Sequence, residues 1–381
     1  MHLYLHIPFC KQACHYCDFH FSTNLSYKER MVKAIGREIA LKSNYLGEKK
    51  LETLYFGGGS PSILSNSELE SLFRAIREVY TVDNLKEVTL EANPDDVTPE
   101  RLDFWYSLGI NRISLGIQTF NEVFLKFMNR AHSSSEALKA LELILDKGFE
   151  TSSVDLIYAK TGFHLDEKRQ AEILRKDIEI LRPFGLQHIS AYNLTIEEDT
   201  VFGRWAAKEK LAAIPDDYAV EQYKIVTGEL AAMGFEQYEI SNFARNQKYA
   251  VHNTSYWSGD EYLGVGPSAH SYNGESRQWN VAHNHRYMEG VESGSPEFET
   301  EVLTSFEKVN DYLLTGLRTI WGVSLNKVSR IEPNLPAGFR DTLEKLKSQQ
   351  LLKQKGDFIF IPQEVRILTD RIVEELFIIM D

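Results

Sequence analysis

The chain has no cysteine outside positions 10 to 17, and the three it has form an odd set, so a disulfide framework is excluded. No apolar run approaches the roughly 18 residues needed to cross a bilayer. The N-terminus also lacks the charged stretch and apolar segment of a secretory leader, so a cytoplasmic location is expected. A basic surplus is missing as well, since the formal net charge is −13. Proteins that track a phosphate backbone release counterions through clustered Lys and Arg, so nucleic acid is not an expected partner.

What is present suits a folded chain. With 43% hydrophobic and 25% charged residues over 381 positions, the sequence can bury a sizeable interior, as a large barrel with an appendage or as two or three units. Short apolar runs alternate with amphipathic stretches through the first half. Strands are expected at 3–7, 51–56, 87–91, 112–117, 153–158 and 188–194, each followed by a helix. Ser65 with Glu68 three positions on has the spacing of a capping box, and Thr98-Pro99-Glu100 marks another helix start. Six such units imply parallel pairing through right-handed crossovers, in an open sheet or in a barrel. Periodicity does not choose between the two. In either, ligands sit at the C-terminal strand ends, and Gly57-Gly58-Gly59, Glu91, Gln118 and Asp155 all fall there.

From about position 202 the alternation weakens, and an aromatic and glycine-rich stretch from Tyr238 to Trp279 reads as an elaboration on the open face of the barrel. Beyond Ser305 the pattern of three helices and a hairpin around Lys355-Gly356-Asp357 resembles a winged-helix module. That module carries as many acidic as basic side chains, which favours packing or partner docking over DNA binding. The expected divisions are 1–200, 201–304 and 305–381.

Chemistry concentrates in Cys10-x3-Cys14-x2-Cys17, directly after the first strand. Three thiolates can hold three irons of a [4Fe-4S] cube and leave the fourth open, whereas a fourth cysteine would close it. The open iron can chelate S-adenosylmethionine through its amino and carboxylate groups and pass an electron to the sulfonium, releasing a deoxyadenosyl radical. The alternatives are inert buried thiols, or a zinc knuckle completed by His15 or His20. Structural zinc normally draws on a second ligand pair, and this sequence has none.

The glycine run lets backbone approach a ligand, although a glycine turn after a strand is also ordinary structure. Glu91, Gln118, Asp155 and Arg130 offer carboxylates for an ammonium or ribose hydroxyls, and a guanidinium for a carboxylate. Each alone could be a satisfied structural group. Their placement on one face favours a site.

Tyr4-x-His6-Ile7-Pro8-Phe9-Cys10-x3-Cys14-x2-Cys17, with Gly57 to Pro61, Glu91-x-Asn93-Pro94, Gly116-Ile117-Gln118 and Asp155-Leu156-Ile157-Tyr158, resembles one radical S-adenosylmethionine family over nearly the whole chain. That family contains the oxygen-independent coproporphyrinogen III dehydrogenases and the HemW-type heme chaperones. The resemblance implies an α/β fold, a partial (β/α)6 barrel with a C-terminal, mostly helical, winged-helix-like domain. It implies cluster ligation by Cys10, Cys14 and Cys17, and contacts to the cluster-bound S-adenosylmethionine from Tyr4, Tyr16, Gly58 and Glu91. Gly59, Ser60, Gln118, Arg130 and Asp155 would line a second S-adenosylmethionine site, with Ser60 in place of the usual threonine.

Two departures point away from the dehydrogenase: Phe19 stands where it has a further cysteine, and only three residues precede Tyr4. His252-Asn253-Thr254-Ser255-Tyr256-Trp257 resembles the HNxxYW motif of the chaperones, associated there with heme. An imidazole can ligate heme iron, and Tyr256 and Trp257 could face the macrocycle. The same aromatics could equally be packing residues, and His270 is an alternative ligand. The expectation is a carrier that binds heme and passes it to an acceptor hemoprotein, one at the membrane included, with an electron donor serving the cluster. Oxidative decarboxylation of coproporphyrinogen III is the enzymatic alternative, and radical methyl transfer a third.

Overall fold

A computed structural model describes residues 1–149, 151–160 and 167–379. Six parallel strands run in chain order across the middle of a twelve-stranded sheet: β1 (His2–Ile7), β2 (Thr53–Gly58), β3 (Glu87–Ala92), β4 (Arg112–Gln118), β5 (Thr151–Tyr158) and β6 (His188–Asn193). All six expected strands are there, displaced by two residues or fewer at either end. Helices Lys28–Leu41, Asn66–Val79, Pro99–Ser107, Ser134–Lys147, Glu167–Leu181 and Asp216–Ala232 follow them in turn, which makes a partial (β/α)6 barrel. The capping box at Ser65 forms, with the Glu68 carboxylate accepting from Ser65 N at 2.7 Å, and Thr98 caps its helix by accepting from Arg101 N.

Buried parallel strands usually read as continuous apolar runs, but these alternate. Leu3, Leu5, Ile7, Leu54, Phe56, Val88, Leu90, Ile113 and Leu115 point outward and are buried beneath the helices. The intervening positions are polar: His2, Tyr4 and His6 on β1, Thr53 and Tyr55 on β2, Glu87, Thr89 and Glu91 on β3, Arg112 and Ser114 on β4. Side chains alternate faces along a strand, so this pattern puts a polar column inside the barrel.

The chain from 201 to 304 enlarges the same sheet at both edges. β7 (Glu236–Gln237) and β8 (Asn242–Ala244) join beyond β6. β9 (Tyr262–Val265) pairs parallel with β1, and β10 (His270–Tyr272), β11 (Ser276–Asn280) and β12 (Phe298–Val302) continue outward. One part of this stretch does not sit on the open face, where the sequence had suggested it. The helix Val251–Ser258 packs at the opposite end, where Glu87, the first residue of β3, accepts from Val251 N at 2.7 Å and His252 N at 3.1 Å. A carboxylate suits the two free amides at a helix start.

After the helix Ser305–Leu317 come β13 (Val323–Ser324), helices Leu325–Ile331 and Ala337–Ser348, then β14 (Lys353–Lys355), β15 (Phe358–Phe360) and the helix Thr369–Leu376. The three strands pair in the order β13-β15-β14, which gives a winged-helix arrangement. Its hydrophobic cluster, from Val309 to Ile378, is separate from that of the barrel. Ile320 N donating to Tyr238 O and Arg366 Nη1 donating to Gln237 O fasten it to β7 and its surroundings. No helix among the described residues is long and apolar enough to cross a membrane.

Candidate functional site

The three cysteines lie on the loop leaving β1, and the loop is pinned from several sides. Cys10 N donates to Ser22 O, and Ser22 N to Pro8 O. Asn129, in left-handed backbone at φ 58°, donates through Nδ2 to Ala13 O at 2.7 Å and accepts from Gln12 Nε2 at 2.6 Å. His15 Nδ1 lies 2.7 Å from Phe127 O, and His20 Nε2 lies 2.8 Å from Asn284 Oδ1, so both histidines of the zinc alternative are already engaged. Among the described residues no three His, Cys, Asp or Glu side chains gather where one metal ion could sit. A zinc knuckle needs that gathering, whereas in a cube each cysteine takes its own iron.

The glycine run has a definite steric cause. A Cβ on Gly59 would lie 2.6 Å from Phe9 O and 2.9 Å from Ile7 O. Gly58, at φ 104°, would drive a Cβ to 2.6 Å from the His6 ring. Gly59 N donates to Ile7 O at 2.9 Å and Ser60 N to Phe9 O at 2.7 Å, so the end of β2 lies directly against the start of the cysteine loop. A Cβ on Gly57 would in turn lie 2.8 Å from the Tyr55 ring and 3.0 Å from Glu91 Oε1, so all three glycines serve contact within the protein itself.

A cavity of about 420 Å³ opens above the strand ends. Cys10, Cys14 and Cys17 line it together with Tyr16, Gly58, Gly59, Ser60, Glu91, Gln118, Arg130 and Asp155. This is within the size range of small-molecule sites, roughly 300–1,000 Å³. Of the residues expected around S-adenosylmethionine, Tyr4 alone is outside the lining. It lies beneath Gly57, its ring centroid 5.8 Å from that of Tyr55. Asn93, Ser114, Ile157, Tyr192, Asn193 and Leu194 also line the cavity and were not singled out as site residues. Their signal was the alternation inside each strand, which places Ser114 and Tyr192 on the inner face.

Hydrogen bonds organise this lining. Ser60 Oγ donates to Cys10 Sγ at 3.5 Å, and Arg130 Nη1 donates to Cys14 Sγ at 3.3 Å. Arg130 Nη2 donates to Asn93 Oδ1 and Gly116 O, both at 2.7 Å, while its buried Nε has no hydrogen-bond partner among the described residues. Gln118 closes β4 at φ 69°, at a register shift against β5. Such a backbone position in a non-glycine residue is held only where the surroundings impose it. Burial pushes the Cys10 thiol up to about 12 and the Cys17 thiol up to about 11. Glu91 is half-buried, accepts from Tyr55 OH at 2.7 Å and faces Asp155. Desolvation first and the Asp155 charge next raise its carboxyl to about 7, against the Tyr55 hydrogen bond. Burial also raises Asp155, which accepts from Ser114 Oγ.

The second group of expected residues lies at the other end of the barrel. His252 is fully buried, with Nδ1 2.6 Å from Thr53 Oγ1 and Nε2 2.8 Å from the Tyr256 hydroxyl. Thr53 Oγ1 also meets His2 Nδ1 at 2.8 Å. Burial, with the neighbouring His2 and Arg112, holds His252 well below the usual imidazole range and so neutral. Asn253 and Trp257 are half-buried on the same helix. His270 is exposed, its ring stacked on Trp279 at 5.9 Å. Neither His252 nor His270 lines the cavity of the cysteines.

The profile of the Radical SAM superfamily matches residues 4–171. The chain is 32% identical over 373 residues to the heme chaperone HemW of Bacillus subtilis, covering 97% of both chains. It is 31% identical over 369 residues to the heme chaperone HemW of Lactococcus lactis, covering 97% of this chain and 93% of that one. Its fold is also that of the coproporphyrinogen III oxidase of Escherichia coli, a radical SAM enzyme, with a TM-score of 0.84 at 20% identity over 98% of this chain and 89% of that one. At 20% the likeness concerns the fold alone, but the full-length relatives go further: the chain belongs to the HemW family of the Radical SAM superfamily.

Proposed function

We propose that this protein is a heme chaperone, which binds heme and passes it to an acceptor hemoprotein while carrying a [4Fe-4S] cluster on Cys10, Cys14 and Cys17. The observation that carries the reading is the full-length relation to proteins named heme chaperones, in a chain that also has the segment His252 to Trp257.

The cysteine site fits such a cluster. Three thiols face one cavity, two of them have hydrogen-bond donors at hand, and the adjoining strand end is free of side chains where it meets the loop. With S-adenosylmethionine bound, the cluster would supply one-electron chemistry at the sulfonium. The chain's own part is to hold the cofactor. Glu91 offers a carboxylate to the ammonium, Asp155 a second one to hydroxyls, Arg130 Nε a free donor, and Tyr16, Gln118 and the Gly58 to Ser60 segment complete the enclosure. Tyr4 acts from beneath, behind Gly57 and Glu91.

Heme ligation by His252 requires iron to take the place of the Tyr256 hydroxyl at Nε2. The neutral ring is in the right protonation state for that exchange. Phe19, at 70% exposed, is a poor candidate for any role a cysteine would fill there. The deciding experiment uses anaerobically reconstituted protein. Stable heme uptake, followed by transfer to an apo-cytochrome, is expected. Conversion of coproporphyrinogen III to protoporphyrinogen IX at an enzymatic rate would overturn the chaperone reading in favour of the dehydrogenase.

A further inference from the structure

The side-chain amide of Asn93 stands between two hydrogen-bond paths that end on cysteine sulfurs. Arg130 Nη2 donates to its Oδ1 at 2.7 Å, and its Nδ2 donates to Ser60 Oγ at 2.7 Å. A guanidinium has donors and no acceptor, so the amide oxygen must face Arg130 and the NH2 must face Ser60. With Ser60 Oγ accepting from that NH2, its own proton is directed to Cys10 Sγ at 3.5 Å. Each bond in the path from Arg130 through Asn93 and Ser60 to Cys10 therefore runs in one direction. The other amino group of Arg130 donates to Cys14 Sγ at 3.3 Å. All four side chains are buried or half-buried.

We propose that Asn93 is a positioning residue for the iron-sulfur cluster, setting the hydrogen-bond donors on two of its three cysteine ligands and so raising its reduction potential. The inference rests on the cluster reading above. Hydrogen bonds to ligand sulfur stabilise the more negative, reduced cluster, and same-direction chains strengthen one another. Threonine in place of Ser60 would preserve the path, since only the hydroxyl takes part. Aspartate in place of Asn93 would not. A carboxylate keeps the acceptor for Arg130 but has no donor, so the Ser60 hydroxyl would turn toward it and Cys10 would lose its proton donor.

The test compares wild type, Asn93→Asp, Asn93→Ala, Ser60→Ala and the double variant Asn93→Asp with Ser60→Ala after anaerobic reconstitution. Iron and sulfide content with visible absorption reports whether the cluster forms. Wild-type protein that takes up none overturns the cluster reading, and this inference with it. Where the cluster forms, the midpoint potential is read by dithionite titration with electron paramagnetic resonance. Both Asn93 variants are expected to fill normally and to shift the potential negative, and the Asn93→Asp shift is expected to shrink when Ser60→Ala is already present. Wild-type potential in Asn93→Asp overturns the proposal. So does an undiminished Asn93→Asp shift in the Ser60→Ala background, since the effect would then be one of charge and not of the path through Ser60. Asn93→Asp is nearly isosteric, which keeps the test open if Asn93→Ala fails to fold.

Discussion

The Nε2 of His252 and the hydroxyl of Tyr256 lie 2.8 Å apart, one helical turn from each other and sealed under the N-terminal ends of β1 and β2. With Thr53 at Nδ1, both nitrogens of the ring are occupied. A heme iron bound by His252 therefore competes with Tyr256. Tyr256→Phe removes the competitor at the cost of one hydrogen bond, worth about 1 kcal/mol, and should tighten heme binding by roughly fivefold. His252→Ala should abolish it. A heme titration followed by absorption checks both, and unchanged affinity in His252→Ala would move the ligand elsewhere, with exposed His270 the next residue to substitute.

Removing a cluster ligand has a sharper outcome. Cys14→Ala leaves two thiols for a cube that needs three, and Arg130 Nη1 loses its sulfur acceptor. Iron and sulfide, expected at about four of each per reconstituted chain, should fall to a small fraction. Stoichiometric zinc in wild-type protein would instead favour the zinc knuckle.

Gly59→Ala probes the seam between β2 and the cysteine loop. The added methyl would meet two backbone carbonyls, which cannot swing aside as a side chain can. Overpacking of this kind costs about 1–3 kcal/mol. The expected result is a lower melting temperature together with poorer cluster retention, because the strain falls on the residues flanking Cys10. Gly109→Ala is a useful comparison: unlike Gly59 it is at positive φ, 92°, and nothing lies within 4 Å of its added carbon, so it should cost backbone strain and leave the cluster untouched.

The six strand positions and the cysteine loop were legible because their signals are local. Alternation over six residues and a spacing of three and two need no knowledge of the rest of the chain. The polar column was written in the same alternation, at Ser114 between Arg112 and Gly116 for example, but its meaning depends on the sheet curving around it. The burial of His252 depended on more still. Thr53 and His252 are 199 positions apart, and nothing near either one indicates that the helix Val251–Ser258 fills the barrel's end. The path from Arg130 to Cys10 was hidden for the same reason: Cys10, Ser60 and Arg130 could each be picked out, but Asn93 and the hydrogen bonds that join them depend on how the strand ends are brought together.

Glu91 gives a prediction in which stability and binding oppose each other. Its carboxyl has an ordinary value of 4.5 and is raised to about 7 in the folded chain, chiefly by burial. A group raised on folding contributes stability that is complete below its unfolded value and is lost as pH rises through the folded one. For Glu91 the loss begins near pH 4.5 and is complete above pH 7, and the interval corresponds to at most about 3 kcal/mol. Glu91→Gln removes the titration and can still accept from Tyr55. In ligand-free protein the variant should match wild type near pH 4.5 and exceed it by up to that amount at pH 8, read by denaturant unfolding at each pH. S-adenosylmethionine should then narrow the gap at pH 8, because its ammonium pairs with the wild-type carboxylate and finds only a neutral amide in the variant. A variant less stable than wild type at pH 8 without ligand would mean that the Glu91 carboxylate is already compensated inside the barrel, and that the cavity does not store its charge for a cationic group.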